Sequence, residues 1–314
     1  MKFNYTIIIP HKNIPQLLQR CLDSIPERDD IQIIIVDDNS DASKVDFNHF
    51  PGIERKNVEV YFTKEGKGAG YARNVGLKHV QGKWVLFADS DDFFVEDFNN
   101  ILDKYCTADA DIIYFNTIGV YSEDIHKKAN RNKDDLFLQY ERDRNIDIFR
   151  YSYTEPWGKI IKAILIQENE LEFEETKVAN DYMFSVQTGC LAKQIIAINH
   201  PLYIVTLRKD SLSYRDIDTI EKLQTRIEVT ARVQVYLEKH HFYFKPMPVF
   251  GLMVNLMHRN LKLFIKNLLW FSKIGISPMV LLSQIFVLRI LSPNKRKKKN
   301  IYISEYETSQ KNEI

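Results

Sequence analysis

The sequence predicts an α/β fold with a mainly parallel central sheet, followed by an α-helical C-terminal extension. Three observations carry this. Short β-branched runs alternate with stretches of helical spacing through the first third of the chain. The run Ile31 to Val36 is almost wholly apolar, as strands buried on both faces of a parallel sheet are. From about 216 to 291 the pattern is helical throughout.

Thr6 to Ile9 is a strand ended by Pro10. Residues 14–25 read as a helix, with Leu17, Leu18, Cys21, Leu22 and Ile25 on one face. Strands follow at Ile31–Val36 and Val58–Phe62. Gly66, Gly68 and Gly70 lead into a helix to about Val80, and Trp84–Ala88 is a fourth strand. A helix over 96–106 and a strand over Asp111–Phe115 complete the alternation. Residues 122–147 lack periodicity and read as a surface excursion. A helix is expected near 158–168, another from Asp181, and strands near 194–198 and 202–207.

Composition is that of an ordinary globular protein: 314 residues, 45% hydrophobic and 27% charged, which excludes disordered and collagen-like classes. The net charge of +1 argues against a nucleic-acid binder. Basic character concentrates in Lys295–Lys299, and the rest of the chain is net negative. Cys21, Cys106 and Cys190 show no metal or disulfide spacing and suit a reducing compartment. The apolar run before Pro10 is too short for a signal-peptide core, so a cytoplasmic location is expected.

Several constellations carry chemistry. Val36-Asp37-Asp38-Asn39-Ser40 closes a buried strand, where open α/β sheets bind ligands. A carboxylate there can accept from a ribose hydroxyl or a base N–H; the same residues also suit a turn or helix cap. In Ala88-Asp89-Ser90-Asp91-Asp92, residues i and i+2 of an extended chain face one side, and such oxygen donors suit Mg²⁺ or Mn²⁺. Asp-x-Asp recurs at Asp109/Asp111 and Asp216/Asp218, so position after an apolar strand selects Asp89/Asp91. Gly66 to Asn74 fits neither a dinucleotide fingerprint nor a P-loop. It remains a glycine-rich helix entry whose N–H groups, with Arg73, favour phosphate or the polar edge of a nucleotide.

Taken together, Pro10-His11-Lys12-Asn13, Val36 to Ser40, Gly70 to Gly76 (with Ala72-Arg73-Asn74) and Phe87 to Asp92 occur in the order found in family-2 glycosyltransferases. The chain resembles that family over about its first 210 residues. The resemblance implies a GT-A type nucleotide-sugar-binding domain over 1–214, with a nucleotide half to about 115 and an acceptor half over 116–214. A helical extension over 215–291 and a polar tail over 292–314 would follow. It implies an inverting transfer of one sugar from a nucleotide-diphosphate donor, UDP-sugar favoured, to a carbohydrate or lipid-linked acceptor in surface polysaccharide synthesis. Pro10 and Asn13 would line the nucleotide pocket, Asp38 would contact the base, and Arg73 would steady the nucleotide. Ser90 would lie with Asp89 near the ribose, and Asp89 and Asp91 would hold Mg²⁺ or Mn²⁺. No Gln-x-x-Arg-Trp, the mark of processive members, is present, so one sugar per encounter is expected.

The family's Glu-Asp pair, whose second residue is the base, matches Asn180-Asp181; Asn stands where Glu is usual. Asp181 is the expected catalytic base, with Glu174 or Glu175 as fallback, and Asn180 or Asp181 could instead cap the helix. Lys12 departs from a frequent Tyr. Trp157 and Lys159, in Glu155-Pro156-Trp157-Gly158-Lys159, resemble cleft residues, and Arg208 falls in the family's loop over the donor phosphates. In 258–271, Arg259, Lys262 and Lys266 share a helix face beside Leu261, Phe264, Ile265, Leu268, Leu269 and Phe271. With Lys295–Lys299, this suggests contact with an anionic membrane surface and a peripheral position at the inner face of the cell membrane; plain packing on the domain is the alternative. Two other readings stay open. One is a degenerate binding or scaffold subunit, supported by Asn180. The other is a sugar nucleotidyltransferase, which normally carries a Gly-Gly-x-Gly-Thr-Arg type loop where Pro10 to Asn13 stands.

Overall fold

The computed structural model describes residues 2–208, 219–242 and 249–283. The chain divides into two compact units after Leu207. In the first unit the elements run β1 (Phe3–His11), α1 (Pro15–Asp23), β2 (Ile31–Asp38), β3 (Val58–Thr63), α2 (Ala69–Leu77), β4 (Gly82–Phe87), β5 (Phe93–Phe94) and α3 (Phe98–Tyr105). They continue as β6 (Ile112–Tyr121), α4 (Asp134–Asp143), α5 (Ile148–Ser152), β7 (Lys159–Lys162), α6 (Ala163–Glu168), α7 (Tyr182–Leu191) and β8 (Ile195–Leu207).

The strands form one sheet in the order β3-β2-β1-β4-β7-β6-β8-β5. β3, β2, β1 and β4 are mutually parallel, so their carboxyl ends share one edge. Pairing of His11 with Asp37 sets the ends of β1 and β2 level, and pairing of Ile8 with Phe87 ends β4 three residues short of them on the same side. Ligands of such sheets bind at that edge. β2 is buried along its whole length, as its unbroken apolar run requires. β6 and β8 are also parallel, whereas β7 and β5 pair antiparallel with their neighbours. The sheet is therefore mixed in its second half.

That half departs from the sequence reading in three places. Residues 159–162, expected to be helical, form β7, because Ile161 pairs with both Val85 of β4 and Ile112 of β6. Helix resumes only at Ala163, so tertiary pairing overrides a local pattern four residues long. The two strands expected over 194–207 are one strand, β8. It slips register opposite Phe115–Thr117, next to Pro201, which offers the ladder no N–H. The excursion over 122–147 contains α4, anchored by Phe137, whose ring is fully buried and lies 4.9 Å from that of Phe149. One buried anchor in three turns leaves no apolar stripe to read.

The second unit contains α8 (Ile220–Lys239), α9 (Phe250–Arg259) and α10 (Leu261–Ile274). Thr219 and Asn260 cap α8 and α10 by accepting from the N–H groups of Lys222 and Leu263. Leu223, Ile227, Met253, Phe264 and Phe271 form its core, and Gln224 and Asn267 exchange amide hydrogen bonds within it. Among the described residues, no helix is long and apolar enough to cross a membrane. Lys295–Lys299 and the expected boundary at 214 lie outside the described residues.

Candidate active site

At the end of β1, His11 Nδ1 donates to Asp37 Oδ2 at 2.8 Å, and its Nε2 accepts from the Ile14 N–H. The second contact fixes the tautomer with the proton on Nδ1. Burial raises the Asp37 carboxyl, but hydrogen bonds from His11 and Ser40 outweigh it and hold the group below its ordinary range. Ser40 Oγ accepts from the Asn13 N–H at 2.8 Å, and Asn13 Oδ1 accepts from the Asp41 N–H at 2.7 Å. Asn13 and Asn39 both adopt left-handed backbone, at φ 62° and 60°, which Asn tolerates better than most residues. Asn13 thus staples two strand-end loops together, and Pro10 sits buried just before it.

Asp38 is nearly fully buried. Its Oδ2 accepts from the Gly68 N–H at 2.9 Å and from Lys12 Nζ at 3.3 Å. Its Oδ1 is buried with no hydrogen-bond partner. A buried carboxylate oxygen left in that state is costly, and a ligand N–H is the natural complement. Gly68, at φ +98°, lets the loop turn its amide onto Asp38, in a conformation L side chains rarely adopt.

α2 explains why Arg and Asn stand side by side. The buried Asn74 amide donates to the Phe173 carbonyl at 2.8 Å and accepts from the Phe173 N–H at 2.7 Å. Arg73 donates to Asp89 Oδ1 with one nitrogen and to Asn180 Oδ1, at 3.0 Å, with another, while its guanidinium lies over the Phe173 ring. A Cβ on Gly70 would fall 2.2 Å from the Glu174 carbonyl oxygen, so only glycine permits this approach. Three residues of one helix therefore dock the segment 173–181 against the end of β4.

After β4, Asp89 is partly exposed, and its N–H donates to the Tyr203 hydroxyl at 2.7 Å. Burial raises its carboxyl, the Arg73 charge opposes this, and the Asp91 charge adds to the rise. Arg20 and Thr206 both donate to the Asp91 carbonyl, at 2.6 and 2.8 Å, and Ser90 is buried between the two carboxylates. Asp92 accepts from the Thr206 N–H at 2.7 Å. Burial first, then the charges of Asp91 and Asp89, push its carboxyl well up. Asp92 thus ties the acidic turn to the end of β8.

Among the described residues, no cluster of three or more His, Cys, Asp or Glu side chains could by itself hold a metal. The residues present still fit a Mg²⁺ or Mn²⁺ ion whose shell is completed by phosphate oxygens. Asp89 and Asp91 are hard donors close enough for the charge of one to raise the other's carboxyl, a repulsion a cation relieves.

Across from them, Asp181 opens α7, yet its side chain makes no capping hydrogen bond; Asn180 is held by Arg73 instead. Burial raises the Asp181 carboxyl to about 6, against the pull of Arg73. Beyond it, Glu155 pairs with Lys133 at 2.6 Å. Burial would raise Glu155, but Lys133 keeps it below its ordinary range. Trp157 stacks on Tyr203, whose hydroxyl meets the Asp89 N–H, with ring centroids 5.8 Å apart. Lys159 is fully buried and donates to the Tyr153 carbonyl at 2.6 Å, and burial lowers its ammonium to about 7. Glu174 donates its N–H to the Asn180 carbonyl, and Glu175 pairs with Lys67 on the outside. Arg208 directly follows β8, and residues 209–218 of its loop lie outside the described residues.

Arg73, Asp89, Trp157, Asn180 and Asp181 are thus brought together, with Asp38, Asn13 and Pro10 at the neighbouring strand ends. Sequence reasoning missed the Asn74 clamp, the Asp92 tie, the Lys133–Glu155 pair and the Tyr203 hydroxyl.

Comparison with known proteins bears on the family and the fold. The family model described as glycosyl transferase family 2 matches residues 6–165. The glycosyltransferase GlyA of Streptococcus pneumoniae serotype 4 is 28% identical over 265 residues, which are 77% of this chain and 37% of that protein. The poly(ribitol-phosphate) beta-N-acetylglucosaminyltransferase TarS of Staphylococcus aureus is 24% identical over 281 residues, 82% of this chain and 47% of that one. The chain spans less than half the length of these two curated relatives. The crystal structure of S. aureus TarS 1–349 with UDP-GlcNAc aligns with a TM-score of 0.58 at 21% identity, covering 74% of this chain and 66% of that one. That likeness is one of fold.

Proposed function

The chain belongs to glycosyl transferase family 2, with the GT-A fold, and on that premise we propose that the cleft transfers one sugar, with inversion, from a nucleotide-diphosphate donor. The observation that carries this is Arg73. A single buried guanidinium joins Asp89, on the donor side, to Asn180 beside Asp181, on the acceptor side. Family membership also removes the nucleotidyltransferase alternative.

The unpartnered Asp38 oxygen accepts from the base, a uracil N–H being the fitting donor. Pro10 and Asn13 hold the adjoining wall, and Ser90 and Asp89 lie by the ribose. Asp89 and Asp91 would hold the divalent cation, which supplies neutralising charge to the leaving diphosphate. Asp181 takes the proton of the acceptor hydroxyl as that oxygen forms its bond to the anomeric carbon. The bond from that carbon to the diphosphate oxygen breaks, and its electron pair leaves with the nucleotide. A carboxyl raised to about 6 is ionised at neutral pH and more basic than a free Asp. Trp157 forms part of the cleft wall behind Asp89.

UDP-sugar is the favoured donor, and the acceptor is a carbohydrate or lipid-linked chain of surface-polymer assembly at the inner face of the cell membrane. The names of the relatives support this class. The test is isothermal titration with UDP, GDP and CMP, with and without Mn²⁺, paired with a transfer assay. Tight metal-dependent binding of one nucleotide together with turnover supports the reading. Binding without turnover supports the scaffold alternative that Asn180 suggests, and no binding under any condition refutes the donor site.

A further inference from the structure

We propose that α10 seats this chain on an anionic lipid surface through two parallel rows of side chains. Leu261, Ile265 and Leu269 recur every four residues and are 60%, 50% and 67% exposed. Lys262 and Lys266 form the adjoining row, also exposed, and Lys273 extends it by two turns. The opposite face, with Phe264, Asn267 and Phe271, is the one spent on the core of the helical unit. Met279, at 81% exposed, Val280 and Leu282 are further exposed apolar residues of this unit.

Charge identifies the occupant. Between Glu238 and Glu305 the sequence has no Asp or Glu at all, while it has twelve Lys and Arg. A helix face that buries leucines while its flanking lysines stay at the boundary suits the headgroup region of a bilayer. A segment of this length without acids is attracted to anionic lipid and repelled by a second copy of itself. The inference stands on the helical unit and does not depend on the transfer chemistry.

The experiment is flotation of the full chain with vesicles of phosphatidylcholine alone or mixed with phosphatidylglycerol, at low and high salt. Binding to the mixed vesicles at least about tenfold tighter than to neutral ones, and weakened by salt, is expected. Ile265→Glu with Leu269→Glu should lose about tenfold or more of that binding, with circular dichroism and UDP titration unchanged. Should that pair fail to fold, Ile265→Gln with Leu269→Gln replaces it, and Lys262→Gln with Lys266→Gln should give a smaller loss. Absence of binding to mixed vesicles overturns the proposal. So does binding that the row variants leave intact and Lys295–Lys299 substitution abolishes. A dimer in sedimentation that Ile265→Glu with Leu269→Glu dissolves, without vesicle binding, makes the face a self-association surface instead.

Discussion

The two sides of the cleft are built differently. On the nucleotide side, His11–Asp37, Asn13–Ser40 and Gly68–Asp38 join residues 26 to 30 apart in sequence, all at the ends of adjacent parallel strands or at the entry to α2 that follows them. On the acceptor side, Arg73–Asn180 and Asn74–Phe173 span 107 and 99 residues. The first arrangement follows from strand order alone. The second needs the whole first unit folded before any of its contacts exists. Substitutions on the two sides should therefore separate nucleotide binding from turnover.

Asp181→Asn gives the largest expected effect. Without its base, transfer should fall by about 10²–10⁴-fold, while UDP affinity measured by titration changes by less than about twofold. Asp91→Ala should do the reverse in binding. Metal-dependent UDP affinity should drop by about tenfold or more, and metal-free affinity should stay level. If both variants lose affinity equally, the two sides are not separable and the comparison breaks.

The pH profile sharpens the same contrast. The proposed base, Asp181, acts only when ionised, so with its carboxyl at about 6 in the free protein kcat/KM should fall about tenfold per pH unit below that value and level off above it. Nucleotide binding followed over the same range should not track that titration.

Asn74→Ala removes a buried bidentate clamp and leaves the Phe173 backbone unsatisfied. A loss of about 2 kcal/mol is expected, visible as a lower melting temperature, with a larger drop in kcat than in UDP affinity. Asn180→Glu should have the smallest effect. It gives Arg73 a carboxylate in place of an amide and restores the family's usual pair, so activity should change by no more than a few fold. A large gain would show that Asn180 detunes the site.

The strand-end placement of the proposed donor-side residues was legible in the sequence. Asp38, Asp89 and Asp91 follow apolar strands, and that position alone puts them at the ligand-binding edge. The acceptor side was legible only where a motif existed, at Asn180-Asp181. Tyr203, in a strand of alternating character, gives no sign that its hydroxyl meets an amide 114 residues away. Asn74 could have been read as part of Ala-Arg-Asn, but its partner is a backbone group with no sequence identity. Lys159 shows the opposite limit: the resemblance places it at the cleft, while the fold buries it under Tyr153. β7 was misread because four residues carry too little periodicity to tell strand from helix.

The most direct test of the account is UDP titration of the intact chain with and without Mn²⁺, run on the wild type, Asp91→Ala and Asp181→Asn, with transfer measured on the same samples. The account expects metal-dependent binding in the wild type, its loss in Asp91→Ala, and near-normal binding with transfer abolished in Asp181→Asn. Unchanged binding in Asp91→Ala, or full transfer in Asp181→Asn, would contradict it.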